Sequence, residues 1–563
     1  MENAVFIFDS HDIPAAVAIF RNLPDGRSYV FDPALLDKAI ESGMVNCEFV
    51  EWAGCFEYPT LRRWAKSAAF EIEKKLDQSV REIVPEVSIF GWQHYNLYYF
   101  LMATQWYSGL WAEVAPRFAG HKIHVPVCDN SSHYYWPSYI PPLLLLQQLK
   151  ALDIEFSAYN YGVREEDTHV VPDLRQPVAD SFDVLSYLPT CFYDISYFND
   201  ELKASGKSVI NFQSKYKAWD VPVAAQQTVG LSTLEEQLAN LPEQVRQRAE
   251  AFFERLVSNL DTLFAPYVAT PDYRAREAIH IAGLYKSQFI TYHLLGAYFR
   301  QARPSKMLLS DHDASFHGPL LAYAEAENIP ILFVPHSKTM DDMQFGRNTV
   351  TCLTHPIQGE PIDDAHGQRV NSLKLAYPEH FEGSSIVLRP LKRVGLLLNA
   401  VSLSGVFVTS YAAYMAGIVR IVDWCRARDI ELVIRGRPGY TMIAMLAQAT
   451  GIAVSTLQEG MSRSLGAFAA DQDLCLMYDA PTTGEIDFLR NSVPILNPVP
   501  EPLAKYEAVI ANVSVIPRNS VEETLVKLDS FIADPANFHA FRLSQFGNYI
   551  NLFQGAQALR TLL

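Results

Sequence analysis

Three apolar segments in the last third of the chain, each followed by a polar loop, decide the fold. They are VGLLLN at residues 394–399, IELVIRGRPGY at residues 430–440 and LCLMYDAPTTGE at residues 474–485. Each has the length and composition of a buried strand, and helical patterns lie between them, which is typical of a parallel α/β sheet. Ligands bind at the carboxyl ends of parallel strands, where all three loops would lie. The sequence therefore predicts a nucleotide-binding half-domain in this region.

The composition is that of a folded protein with more than one domain. Of the 563 residues, 49% are apolar and 19% are charged, and a chain of this length exceeds one ordinary core. The net charge of −17 argues against a general nucleic-acid binder, which needs a basic surface. A small anionic ligand is compatible with this charge, because a few local arginines can hold it.

The cysteines and the longest uncharged segment predict neither a disulfide framework nor a membrane span. The seven cysteines form no CxxC pair, so no zinc site is predicted either, and a reducing cytoplasm fits. The first residues lack the basic segment and long apolar run of a signal peptide. Residues 394–419 carry no charge and are long enough to span a bilayer, but polar residues and a glycine interrupt them. A strand, a loop and a helix explain that interruption better.

Short apolar segments alternate with helical patterns through the first two thirds of the chain, which predicts further parallel βαβ units. Strands are predicted at residues 5–8, 28–31, 87–90, 122–127, 184–187, 208–212, 307–310 and 331–334. Helices are predicted at residues 61–83, 143–152, 233–265 and 274–301.

The predicted fold class is α/β, with two Rossmann-like domains. The first covers residues 1–390 and carries a helical insert at about residues 231–303, expected to form a helical hairpin. Residues 359–391 hold several prolines and glycines with little periodicity and are predicted to connect the domains, with some edge structure allowed. The second domain covers residues 392–563, and its final helices are candidates to cross back onto the first.

The loop RGRPGY at residues 435–440 is a candidate phosphate site. Arg435 and Arg437 carry guanidinium groups, which bind phosphate or carboxylate through two parallel hydrogen bonds. The flanking glycines permit close backbone approach, and Pro438 stiffens the turn. The alternative is a solvated basic turn between a strand and a helix.

The loop APTTGE at residues 480–485 is a second candidate for the same ligand. Thr482 and Thr483 place hydroxyls and amide groups at a helix start, which favours anions, and Glu485 can accept hydrogen bonds from ribose hydroxyls. The alternative, a helix cap, is compatible with this role. Ser404 lies in the turn after the first segment and is an additional candidate. Because that turn is not GxGxxG and the chain contains no P-loop lysine motif, nicotinamide and P-loop sites lose support.

Two loops of the first domain are candidates for catalysis. Asp311, His312 and Asp313 follow a predicted strand and precede a predicted helix, where α/β active sites form. A carboxylate there can act as a nucleophile toward an anomeric carbon or as a base toward an acceptor hydroxyl; the alternative is a helix cap. After the next strand, His336 can donate to a phosphate or carboxylate and Lys338 adds positive charge. The alternative for His336 is a loop histidine bonded to the backbone.

Polar and aromatic residues after other first-domain strands are candidates for an acceptor site. Asp9 follows the first strand, His94 lies in GWQHY at residues 91–95, and His133 and Trp136 lie in DNSSHYYW at residues 129–136. Aromatic rings beside amides and hydroxyls suit a sugar. The alternative is an aromatic core or surface of a large domain.

With these loops the chain resembles GT-B fold glycosyltransferases of bacterial surface-polysaccharide assembly. CMP-sugar transferases of the sialic acid and Kdo type pair a His-Pro motif with a Ser-Ser/Thr motif around CMP. Here Arg437-Pro438 stands at the place of the former, with arginine for histidine, and Thr482-Thr483 at the place of the latter. The Asp311–Asp313 and Pro335-His336 loops resemble the first-domain sites of retaining β-Kdo transferases from capsule and lipopolysaccharide O-antigen systems. That resemblance implies an aspartate nucleophile, Asp311 or Asp313.

The resemblance implies a transferase that moves a Kdo- or sialic-acid-like sugar from a CMP-activated donor to a glycan or glycolipid acceptor. It implies no cofactor and no bound metal, no nucleic-acid partner, and a cytoplasmic location, with the inner-membrane surface as a second location. Three alternatives stay open at this point. They are a GT-B transferase with a UDP-, GDP- or CDP-linked donor, a sugar-phosphate epimerase or phosphotransferase on a similar scaffold, and a non-catalytic glycan-binding protein.

Overall fold

The computed structural model of the chain describes most of its residues. These are residues 2–23, 25–51, 58–127, 140–160, 170–176, 178, 181–188, 195–213, 225–300, 302–310, 316–335, 349–357, 370–377, 386–399, 409–437, 442–480, 482, 484–507 and 515–563. They form two compact units. The first comprises Met1–Leu61, Ala103–Glu165 and Glu379–Leu552, and the second comprises Arg62–Met102, Glu166–Pro378 and Phe553–Leu563.

The chain begins with five parallel strands, called here the N-terminal sheet, with helices between them along the sequence. The strands are β1 Glu2–Ile7, β2 Arg27–Val30, β3 Cys47–Phe49, β4 His121–Val127 and β5 Phe156–Asn160, and the helices are α1 Ile13–Phe20, α2 Ala34–Glu41, α3 Tyr58–Val80, α4 His94–Val114 and α5 Ile140–Ala151. The strand order β3-β2-β1-β4-β5 is Rossmann-like. One face of β1 packs Val5 and Ile7 against α1 and α2, while Phe6 on the other face contacts the rings of Phe31 and Phe118.

The second sheet, called here the central sheet, has seven described parallel strands. Two strands of this region, β6 Val170–Pro172 and β10 Leu231–Thr233, form a separate antiparallel pair. The seven strands of the central sheet are β7 Val184–Tyr187, β8 Val209–Phe212, β9 Gln227–Val229, β11 Lys306–Ser310, β12 Ile331–Val334, β13 Val350–Thr354 and β14 Val370–Lys374. The helices are α6 Ile195–Ser205, α7 Leu234–Leu238, α8 Glu243–Phe264, α9 Pro271–Tyr298 and α10 His317–Glu327. The strand order is β14-β13-β12-β11-β7-β8-β9.

The third sheet, called here the C-terminal sheet, has five described parallel strands in the order β16-β15-β17-β18-β19. The strands are β15 Arg393–Leu397, β16 Glu431–Arg435, β17 Leu474–Met477, β18 Ile495–Val499 and β19 Arg518–Ser520. The helices are α11 Tyr411–Ala427, α12 Ile443–Thr450, α13 Val454–Ser462, α14 Leu465–Ala470, α15 Glu485–Arg490, α16 Leu503–Glu507, α17 Val521–Ala533 and α18 Pro535–Asn551. Val394 and Leu396 of β15 pack with Ile418 and Ile421 of α11 in one buried core.

The fold class, α/β with parallel sheets, is confirmed, and the interrupted segment at residues 394–419 begins as strand β15 and ends in helix α11. The described residues form three such sheets, of which the N-terminal and C-terminal sheets belong to the first unit and the central sheet to the second. The domain bounds at residues 390 and 392 stay a prediction. The final segment, Phe553–Leu563, belongs to the second unit, where Gln557 bridges Leu375 at the end of the sheet's edge strand.

One local prediction needs correction, and one is confirmed. Residues 87–90 are not a strand, because the Asp77 carboxylate accepts the backbone N–H of Ile89 (2.8 Å) that a ladder would use. The predicted connection at residues 359–391 contains β14, an edge strand that pairs with β13, and the prediction allowed for such edge structure. The helical hairpin is present as α8 and α9, which pack along each other through Phe252 and Phe289, with ring centroids 5.2 Å apart.

Candidate functional site

The C-terminal sheet has a switch point at β15, where ligands bind in open α/β sheets. The chain leaves β15 for β16 on one side and returns to β17 on the other. Leu397 at the end of β15 pairs with Arg435 and also with Met477. Because neighbouring strands are about 4.8 Å apart, the Arg435 and Met477 backbones lie about 10 Å from each other across the end of β15. The two predicted donor loops therefore leave the same edge of the sheet.

Arg435 is a buried cation at this edge. The residue is 8% exposed, its Nη1 donates to the Gly436 carbonyl (3.4 Å), and its Nε–H has no hydrogen-bond partner among the described residues. Burial lowers the pKa of the guanidinium, and the charge of Asp487 opposes this shift. Asp487 lies in α15, so the end of β16 and the helix after β17 interact electrostatically across β15. The buried Nε–H of this positively charged group is suited to donate a hydrogen bond to an anionic oxygen.

Thr482 is held at the start of α15. Its Oγ1 accepts from the Gly484 N–H (3.2 Å), and its carbonyl accepts from the Glu485 N–H (3.2 Å). The hydroxyl thus bonds within the turn before α15, whose cap position, Gly484, has no side-chain cap among the described residues. The Thr482 N–H points at the Met477 Sδ (3.3 Å), and the Gly436 N–H points at the Met461 Sδ (3.1 Å). Since thioether sulfur is a weak acceptor, both backbone donors can exchange it for a stronger one.

Two asparagines fix the loop between β17 and α15. The Asn399 amide, just after β15, donates to the carbonyls of Tyr478 (3.4 Å) and Ala480. From the other side, Asn497 of β18 donates to the carbonyls of Met477 (2.6 Å) and Asp479 (2.7 Å). The loop at the switch point is therefore tied to both neighbouring strands before any ligand binds.

Asp479 is the buried acid of this loop, and sequence reasoning missed it. It adopts a left-handed backbone, with φ of +66°, and accepts a hydrogen bond from the Tyr506 hydroxyl. Burial raises the pKa of its carboxyl to about 6, although the hydrogen bond from Tyr506 opposes the shift. The Asp-Ala-Pro sequence was a usable signal, because aspartate tolerates the left-handed region.

The structure describes two of the remaining residues that were predicted to bind the sugar donor. Arg437 is exposed after β16, whereas Glu485 is fully buried in the first turn of α15, where a negative charge complements the helix N-terminus. Contact of Glu485 with ribose stays a prediction. Ser404, Pro438, Thr483 and Lys338 lie outside the described residues.

The predicted catalytic loops follow strands of the central sheet near its own switch point. There β7 lies between β8, the next strand in the chain, and β11. Asp311, His312 and Asp313 follow β11, and His336 follows β12, but all four lie outside the described residues. His317, four residues beyond Asp313, is 4% exposed, and its ring lies 5.5 Å from that of Tyr187 at the end of β7. The roles of the four residues stay predictions.

The predicted acceptor residues occupy different surroundings. Asp9 caps the turn before α1, since its Oδ1 accepts from the His11 backbone N–H (3.0 Å) and contacts the His11 ring nitrogen Nδ1 (2.7 Å). His94 is 2% exposed, and its Nδ1 lies 3.1 Å from the Glu73 carboxylate, which also accepts from the Tyr285 hydroxyl (3.1 Å). This buried network must open before His94 can touch an acceptor. His133 and Trp136 lie outside the described residues.

The described residues contain neither a candidate metal cluster nor a candidate membrane-spanning helix. No group of three or more His, Cys, Asp and Glu side chains there is placed to hold a metal ion. Among the same residues, no helix has both the length and the apolar character needed to cross a bilayer. The predicted absence of a metal stays a prediction, because Asp311–Asp313 lie outside the described residues.

Comparisons with known proteins give weak likenesses in structure. No protein-family model and no curated protein sequence matches the chain. MurG of Acinetobacter baumannii has a TM-score of 0.35 at 10% identity, covering 68% of this chain and 97% of its own. The glycosyltransferase SnogD of Streptomyces nogalater has a TM-score of 0.34 at 12% identity, covering 68% and 98%. The UDP-GlcNAc 2-epimerase of Neisseria meningitidis has a TM-score of 0.32 at 10% identity, covering 66% and 98%. At such scores the likenesses assign neither a family nor an activity to this chain.

Proposed function

We propose that the chain is a glycosyltransferase that takes its sugar from a nucleotide-activated donor. The observation that carries the proposal is Arg435. A guanidinium that is 8% exposed, with an Nε–H lacking a partner among the described residues, lies at the switch point of a parallel sheet. Burying a charge is costly unless something compensates it, so a ligand of opposite charge is the expected partner.

The donor's phosphate would bind between the β16 and β17 loops. Arg435 and the exposed Arg437 supply positive charge from one side, and the Thr482 loop supplies a hydroxyl and a backbone N–H from the other. Glycosyl transfer leaves negative charge on the departing phosphate. Hydrogen-bond donors of the protein that are already held in place before the reaction stabilise that charge without having to reorganise. Asn399 contributes by holding the Thr482 loop in place.

The chemical step is assigned to the loop after β11. In this proposal Asp311 or Asp313 attacks the anomeric carbon or takes the acceptor's proton, and His336 steadies the departing phosphate or a sugar carboxylate. The finer proposal, from the resemblance of the Arg437-Pro438 and Thr482-Thr483 motifs, is a CMP-linked Kdo- or sialic-acid-like donor and a bacterial surface glycan acceptor. UDP-, GDP- and CDP-linked donors are the competing choices.

A nucleotide panel tests the proposal. CMP, CDP, UDP and GDP are titrated by calorimetry into the wild-type chain and into Arg437→Ala. One nucleotide should bind the wild type, and its affinity should fall about ten- to a hundredfold in the variant, because a charge-assisted hydrogen bond is lost. Arg428→Ala is the matched control, since Arg428 is an exposed arginine just before β16, at the opposite end of that strand, and pairs with Asp529.

The outcomes separate the rival functions. The transferase is supported if the wild type binds a nucleotide and transfers the sugar, and if Asp313→Ala or Asp311→Ala loses that sugar transfer. Conversion of a nucleotide sugar without any acceptor points to an epimerase. Glycan binding in the absence of nucleotide binding points to a non-catalytic protein, and binding to none of the four nucleotides contradicts the donor site.

A further inference from the structure

Two segments at the donor-site edge of the C-terminal sheet lead into helices, and the first turns of both helices contact the N-terminal sheet or the helices packed on it. The segment after β15 leads into α11, and the segment after β16 leads into α12. Both sheets belong to the first compact unit. The helix starts are therefore anchored by a part of the chain that lies hundreds of residues earlier.

Asp37 of α2 caps the start of α12. Its Oδ1 and Oδ2 accept from the Ala444 N–H at 3.0 and 3.3 Å, and the Ile443 N–H also donates to this carboxylate. Met442, the residue at the cap position of α12, makes no side-chain cap among the described residues. The first N–H groups of a helix need a partner, and a carboxylate there also complements the helix dipole. Asp37, on helix α2, thus provides the side-chain cap that the cap residue of α12 does not.

Apolar contacts reinforce this junction. Met445 of α12 packs on the core that Val5 and Ile7 of β1 form with Leu35 of α2. At the start of α11, the Tyr411 ring lies 4.9 Å from the ring of Phe49, the last residue of β3. The Tyr411 hydroxyl donates to the Met445 Sδ (3.6 Å), which joins the starts of the two helices.

We propose that the N-terminal sheet positions the donor-site loops, with Asp37 as the positioning residue at the start of α12. The ligand named in this inference rests on the proposed function, but the support of α12 does not. Arg435 ends β16, and Arg437 lies in the connection from β16 to α12, so the direction in which α12 begins limits where the Arg437 guanidinium can reach. A merely adhesive contact would stabilise the unit without changing the affinity for nucleotide.

Three variants separate positioning from adhesion. Asp37→Ala removes the cap, Asp37→Asn keeps one acceptor oxygen without the charge, and Glu41→Ala removes an exposed carboxylate one turn further along α2 as the matched control. Hydrogen exchange at the Ile443 and Ala444 amides is measured first. It should be about tenfold faster in Asp37→Ala, less affected in Asp37→Asn and unchanged in Glu41→Ala.

Nucleotide affinity is measured on the same proteins. The Kd of the nucleotide that binds the wild type should rise several-fold in Asp37→Ala and less in Asp37→Asn. In turnover, the donor KM should rise while kcat changes little. Faster exchange with unchanged affinity overturns the positioning role, and unchanged exchange overturns the cap itself. If the wild type binds no nucleotide, the donor site and the positioning role both fail, and the exchange data then report on the cap alone.

Discussion

Replacing Asp479 with asparagine should stabilise the C-terminal sheet at neutral pH. Burial raises the pKa of this carboxyl to about 6, above its ordinary value of 3.8. The folded chain therefore binds the proton more tightly than the unfolded chain does. The free energy of unfolding is highest below about pH 4 and falls as the pH rises to about 6, because the ionised carboxylate is disfavoured in the folded state.

The size of the effect follows from the shift. Since each pKa unit corresponds to about 1.4 kcal/mol, a shift of about two units gives about 3 kcal/mol above pH 7 and about 1 kcal/mol near pH 4.5. Asparagine keeps an oxygen that accepts from the Tyr506 hydroxyl, and it tolerates a φ of +66° as well as aspartate does. The substitution therefore removes the charge and leaves the geometry.

Urea unfolding at about pH 4.5, 6 and 7.5 measures the difference between Asp479→Asn and the wild type. Asp429→Asn is the control, because Asp429 also has a left-handed backbone, with φ of +52°, but is exposed. The control should change stability little at every pH. A gain in Asp479→Asn that is absent, or that stays constant with pH, would refute the assignment of a buried, proton-binding carboxyl.

Two further substitutions test how the switch-point loop is built. In Gly417→Ala the new methyl group would overlap the Tyr478 hydroxyl, so the free energy of unfolding should fall by about 1–3 kcal/mol; Gly547→Ala, which meets open space in its helix, should be neutral or stabilising, and equal effects of the two would contradict the packing argument. Asn399→Ala removes the amide that donates to the Tyr478 and Ala480 carbonyls and should cost about 1–3 kcal/mol in urea unfolding while weakening nucleotide binding; unchanged values of both would show that the loop does not need this tie.

The strands that could be predicted from sequence are the buried ones. The predicted strands at residues 184–187 and 331–334 match β7 and β12, because strands buried on both faces of a parallel sheet read as continuous apolar runs. The edge strand β14 and the short strand β19 escaped this signal. In β19, Arg518–Ser520, three polar residues pair with β18, and the Arg518 Nε–H also donates to the Asn497 side-chain oxygen (3.1 Å). Three of the five residues of the edge strand β14 are polar.

Site residues could be predicted only where the side-chain type and its place after an apolar segment indicate ligand binding. Arg435 and Thr482 stood out because guanidinium groups and hydroxyls follow apolar segments. Asp479 and Asn497 did not, since their roles depend on a positive φ and on which strands become neighbours. The capping of α12 by Asp37 could not be predicted for the same reason, because the two lie some four hundred residues apart in the sequence.

The central claim is that a donor phosphate binds at the guanidinium of Arg435. The most direct measurement is the NMR signal of the Arg435 Nε–H in arginine-labelled protein, assigned by its loss in Arg435→Lys and followed during titration with the nucleotide that binds. The signal should shift, and its exchange with water should slow, as the site fills. An Arg435 signal that stays unchanged while the nucleotide saturates the protein would place the phosphate elsewhere and contradict the account.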